Sequence, residues 1–134
     1  MQPRTPDQIR VDMFIRTADR DSAVAELIER DSPDFYESIG FHCQQAVEKY
    51  LKAVLVVYNL PVAYTHNLMR LLRDLNPIIS FSAAEQAAAT SLLQFAVDLR
   101  YELDEAPDHT SADLLNMAHQ FRDKLRPLAL AFLA

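Results

Sequence analysis

The sequence predicts an all-α fold: an up-and-down bundle of about five helices, one of them short. Three observations lead there. The chain has a single glycine among 134 residues, whereas a β-rich chain of this length needs many tight turns and glycine at positive φ to make them. Apolar residues recur at three- and four-residue intervals over long stretches, the period of an amphipathic helix. Capping residues and prolines separate those stretches, marking where helices begin and end.

The first helix starts near Thr5. Thr5-Pro6-Asp7-Gln8 supplies a capping hydroxyl, a proline in the first turn and a glutamine three residues on. Val11, Phe14, Ile15, Ala18, Ser22 and Ala25 follow at helical spacing, and the helix fades near Arg30. Ser32-Pro33-Asp34 starts the second and longest helix, which runs to about Tyr58. Tyr36, Ile39, Cys43, Ala46, Val47, Tyr50, Leu51, Val54 and Tyr58 cover one broad face, opposite a stripe of Gln45, Glu48, Lys49 and Lys52. That face is wide for one small bundle, so part of it is expected to serve a dimer interface. Gly40 lies inside this helix, where glycine costs ~1 kcal/mol relative to alanine; a close approach of another backbone would account for it.

Asn59-Leu60-Pro61 ends the second helix, and a short third helix covers Asn67 to Leu75, stopped by Asn76-Pro77. Ser82-Ala83-Ala84-Glu85 is a capping box for a fourth helix reaching about Leu103, with Ala88, Ala89, Leu92, Leu93, Ala96, Leu99 and Leu103 as its stripe. The fifth helix starts at Thr110 or Ser111 and aligns Leu114, Ala118, Phe121, Leu125, Leu128 and Phe132. Pro127 is expected to kink it or end its regular part. Short loops between long amphipathic helices imply antiparallel neighbours, and the absence of repeats or linkers makes residues 1–134 a single domain.

Composition narrows the function. A net charge of −6 makes a general nucleic-acid coat a poor reading, because non-specific binding neutralises phosphates; DNA binding is not expected, and a local basic site stays open. Cys43 is the sole cysteine, which rules out an intrachain disulfide and a cysteine-based zinc site within one chain. His42, His66, His109 and His119 have no zinc-ligand spacing, so no metal is expected. There is no phosphate loop, dinucleotide fingerprint or nucleophile elbow, and no cofactor is expected. The start, MQPRTPDQIR, lacks a signal peptide's apolar core, and no apolar run approaches a membrane span. A cytoplasmic protein is the default expectation.

Arg100 sits on the margin of an apolar stripe beside Leu93, Ala96 and Val97, where an arginine must snorkel, pair or bind a ligand. Asp21 is placed similarly beside Phe14, Ala18 and Ala25, and the two are expected to face one another as a structural pair or part of a polar pocket. The densest polar run is Gln44 to Ala53. Glu48 and Lys52 read as an i,i+4 surface pair on a solvated face; alternatively Lys49 and Lys52 form a cationic stripe for a phosphate or an acidic partner. His66 caps the third helix or lines a cleft. Cys43 falls on the apolar face as a small core residue.

Gln44-Gln45-Ala46-Val47-Glu48-Lys49, then Leu51-Lys52-Ala53, then Thr65-His66-Asn67-Leu68 with Leu71-Leu72, and finally Arg100-Tyr101 occur in this order. Together they resemble the signature of HEPN domains (higher eukaryotes and prokaryotes nucleotide-binding), over about Ala18 to Leu128. The resemblance implies a helical bundle that commonly forms a homodimer and binds nucleotides or RNA. It also implies frequent pairing with a small nucleotidyltransferase in a two-gene toxin–antitoxin or defence module. Many HEPN proteins are metal-independent ribonucleases with an arginine followed, after four to six intervening residues, by a histidine. Here His109 follows Arg100 after eight, so no catalytic residue is assigned. Asn67 and Glu102 stand where relatives often have an acidic residue and a proline. Carried over, the resemblance puts a phosphate on Arg100 with Lys49 or Lys52 as secondary charges, Tyr101 stacking or donating, and His66 lining the cleft. Asp21, Gln45 and Glu48 complete the polar pocket. Two alternatives are a ribonuclease using Arg100 and His109 across a dimer, and a dimerising protein-interaction scaffold.

Overall fold

A computed structural model describes residues 2–96 and 109–134. It contains α1 (Pro6–Asp31), α2 (Tyr36–Val57), α3 (Leu68–Leu75), α4 (Ala83–Leu93) and α5 (Ser111–Leu133), with no strand among the described residues. The start signals act as local chemistry dictates. Thr5, Ser82 and Thr110 each accept a backbone N–H three residues on, while the side chain of Gln8, Glu85 or Asp113 reaches back to the cap's own N–H. Each exchange satisfies two donors that a helix start leaves orphaned.

Ser32 behaves differently from expectation. It does not start α2; its N–H caps the end of α1 on the Ile28 carbonyl. Pro33 and Asp34 form a turn, and α2 begins only at Tyr36, after Phe35, without a side-chain cap.

α2 is the centre of the bundle. Ile39, Cys43, Ala46, Val47, Tyr50, Leu51, Ala53, Val54 and Leu55 are fully buried within this one chain, so its broad apolar face is covered over that length without a second copy. α1 and α5 run antiparallel along it. The cross-links between them descend in order: Gln8 with Phe132, Asp19 with Arg126, Glu26 with His119 and Glu29 with Ser111. Pro127 removes one N–H from α5, yet the helix continues to Leu133. Buried Leu125 and Ala129 flank the proline and hold its two sides against the core.

α4 tightens after Leu93. The N–H groups of Phe95 and Ala96 reach back only three residues, to Leu92 and Leu93. This turn delivers Phe95, fully buried, against Gly40 and edge-on to Tyr36 at 5.4 Å between ring centroids. A Cβ on Gly40 would lie 2.4 Å from the Phe95 ring. The close neighbour is therefore an aromatic ring, not another backbone as expected. The predicted continuation of α4 to Leu103 lies outside the described residues.

Gly40→Ala raises helix propensity, but the Phe95 ring must move. The expected net result is a loss of about 1–3 kcal/mol, measured by urea denaturation. The loss shrinks when Phe95→Leu is present in both members of the comparison.

Candidate functional site

Glu48 is the anchor of the candidate site. The i,i+4 spacing does bring Lys52 to it, Nζ to Oε2 at 3.1 Å, but the pair does not lie on a solvated face. The Glu48 side chain is 5% exposed and that of Lys52 12%. Gln44, one turn earlier, is wholly buried. These side chains are enclosed because the α3 start folds over them. His66 Nδ1 lies 2.8 Å from Glu48 Oε1, and Gln44 Nε2 donates to the His66 carbonyl at 2.9 Å and to Glu48 Oε1 at 3.3 Å. Gln45 donates in turn to Gln44.

A carboxylate only accepts, so Nδ1 of His66 carries the hydrogen and Nε2 is the ring nitrogen left for a ligand. The side chain is more than half exposed, so a ligand can reach the ring. His66 thus lines the site and does not cap α3. Asn67 is the cap, accepting from the N–H groups of Met69 and Arg70.

A second cluster repeats the pattern at the α1–α2 boundary. Asp21 accepts from Lys49 Nζ at 2.6 Å and holds His42 Nδ1 at 2.9 Å. Asp21 is therefore held in a polar cluster with Lys49 and His42, while Arg100, the partner expected for it, lies outside the described residues. Burial pushes its pKa up, but the hydrogen bonds from His42 and Lys49 and the charge of Lys49 outweigh that and hold it below the ordinary value.

Each cluster is one carboxylate shared between a lysine and an imidazole. His42, Gln45, Lys49 and Lys52 are spaced three, four and three residues apart on α2, so they form a single stripe. Six of the nominated residues, Asp21, Gln45, Glu48, Lys49, Lys52 and His66, meet here. Arg100 and Tyr101 lie outside the described residues. His42 and Gln44 were not among the sequence candidates; the 3-4-3 spacing was the available signal for His42.

The remaining polar chemistry lies elsewhere. A groove of about 510 Å³ runs between α1 and α5, lined by Asp19, Tyr50, Arg122, Arg126 and Leu130, among others. Its charges pair with one another. Arg126 grips Asp19 bidentately, Tyr50 donates to Asp19 at 2.7 Å, and Arg122 meets Glu26 and Asp123. Cys43 is sealed in the core, where burial pushes its thiol pKa up to about 12, too high for a thiolate nucleophile. His109 Nε2 sits 3.3 Å from Ser91 Oγ. Among the described residues, no group of three metal-ligating side chains is arranged to hold an ion, and no helix is long and apolar enough to cross a membrane.

A family model described as "HEPN domain" matches residues 11–127. Among solved structures, a crystal structure described as that of an archaeal HEPN homologue superposes with a TM-score of 0.68 at 23% identity. The match covers 89% of this chain and 97% of that one. No curated protein is significantly similar to the chain.

Asp21 makes acid stability a test of the cluster. A carboxylate whose folded pKa is depressed contributes stability above its unfolded pKa and loses it as pH falls through the folded value. Asp21→Asn is expected to lower stability near neutral pH by about 1–3 kcal/mol, because Lys49 loses its charged acceptor. It should also flatten the fall in stability below about pH 4, measured by urea denaturation across pH.

Proposed function

We propose, for a chain that belongs to the HEPN domain family, a non-catalytic nucleotide- or RNA-binding role in which the polar stripe of α2 is the binding surface. One observation carries this reading. Lys49 and Lys52 stand one turn apart, each fixed by a carboxylate. An ammonium has three N–H donors and each of these gives one to its anchor; Lys49, the more exposed of the two, presents the readier donors to a phosphate, with Lys52 behind it. The anchors pre-order both side chains, which reduces the entropy lost when a ligand is gripped. His66 adds an exposed ring nitrogen, Nε2, for a sugar hydroxyl or a base edge. Arg100 joins as the main phosphate ligand, because its planar fork suits phosphate, and Tyr101 as a stacking or donating group; both assignments rest on the family resemblance.

The non-catalytic part rests on spacing. General acid–base work on a ribose needs a histidine within hydrogen-bond reach of the reacting proton. The family places it after four to six intervening residues, and here that window holds Glu105, Ala106 and Pro107. The same resemblance supports pairing with a small nucleotidyltransferase in a toxin–antitoxin or defence module, and a homodimer. Copurification with such an enzyme tests the first, and sedimentation the second.

Calorimetric titration with ATP, GTP and a short RNA tests the site. Wild-type protein is expected to bind at least one of them. Lys49→Ala, Lys52→Ala and Arg100→Ala are each expected to weaken it by about tenfold, the scale of a lost charge-assisted contact. Unchanged affinity in all three variants would remove the ligand from this stripe, and no binding by wild type would leave the scaffold reading.

A further inference from the structure

The segment between α2 and α3 is fixed at both ends. Asn59 adopts a positive φ of 56°, and the N–H of Leu60 bonds back to the Leu55 carbonyl. Leu60 and Val62 pack against the core. On the far side, Gln44 holds the His66 carbonyl and Glu48 its ring, while Thr65 accepts the N–H of Asn67. Between these anchors Tyr64 is completely exposed, at 105% of its reference area.

Every other tyrosine in the chain whose placement is described is at least partly covered. An aromatic ring held out by an anchored segment costs little further ordering when it meets a partner, because the backbone beneath it is already placed. Tyr64 is two residues from His66, so their Cα atoms are within about 7 Å. His66 and Lys52 share the Glu48 carboxylate. An exposed aromatic ring therefore lies two residues along the chain from the imidazole that shares a carboxylate with Lys52. Aromatic rings flanking a cationic track bind single-stranded nucleic acid by stacking on unpaired bases.

We propose that Tyr64 is the base-stacking platform of this domain, so that its ligand is single-stranded RNA with an unpaired base on Tyr64 and backbone phosphates on Lys49 and Lys52. This rests on the reading of the α2 stripe as a binding surface and adds to it an exposed aromatic face on which a nucleobase stacks. Duplex RNA, whose bases are already stacked, binds less well.

The test is fluorescence anisotropy of a labelled short oligoadenylate, with Tyr64→Ala, Tyr64→Phe and an abasic oligonucleotide of the same length. Tyr64 touches nothing it must support, so its variants fold. Tyr64→Ala is expected to weaken oligoadenylate about tenfold, the scale of one lost base–aromatic stack. Tyr64→Phe keeps wild-type affinity, and the abasic strand binds wild type and Tyr64→Ala equally. If wild type binds oligoadenylate and Tyr64→Ala binds it equally well, the platform is wrong while the stripe stands. If wild type binds neither oligonucleotide, both fall.

Discussion

α2 lies at the centre of the bundle with almost no free face, and that constraint organises the rest of the molecule. A charge on such a helix is removed from water, and an unpaired one there is strongly destabilising. Glu48, Lys49 and Lys52 are the charges α2 carries inside the bundle, and each is paired. The pairing draws in the neighbouring elements, because Asp21 comes from α1 and His66 from the segment before α3. The polar clusters therefore fix where α1 and the α3 start sit, and the same packing holds the two ammonium groups one turn apart.

Replacing buried ion pairs with apolar side chains of similar size is often neutral or stabilising, so packing alone does not require them here. The seam between α1 and α5 makes the contrast clear. There the arginine forks close on Asp19, Glu26 and Asp123, and apolar Ala23, Pro127 and Leu130 complete the walls. Along α2 the donors are lysines with hydrogens left over, and a half-exposed imidazole faces outward beside them. The first arrangement joins two helices; the second joins elements and keeps hydrogen-bonding capacity in reserve.

The sequence revealed what is decided within one helical turn. The capping boxes at Thr5, Ser82 and Thr110 were legible because cap and partner are three residues apart, and the apolar stripes because their period is local. Glu48 was misread as solvent-facing because what encloses it lies 18 residues away at His66. The Asp21–Lys49 contact spans 28 positions, beyond any periodic signal. Gly40 announced a close neighbour, but its identity as the Phe95 ring depended on a tightened turn at the end of α4. Ser32-Pro33-Asp34 carried a start signal, yet Ser32 was already engaged in ending α1. Six nominated residues fall in the two clusters, but which side chains pair was not readable from local spacing.

If the stripe binds a ligand, the two carboxylate–lysine–imidazole clusters along α2 respond to it as one surface. The most direct measurement is a long-range 1H–15N spectrum of the histidine side chains, recorded as single-stranded RNA is added. His42 and His66 are expected to start with hydrogen on Nδ1, facing Asp21 and Glu48, and both Nε2 resonances to move with the same saturation curve while His119 stays still. Movement of His119 with the two α2-stripe imidazoles unchanged would place the ligand on the α1–α5 seam and contradict the claim.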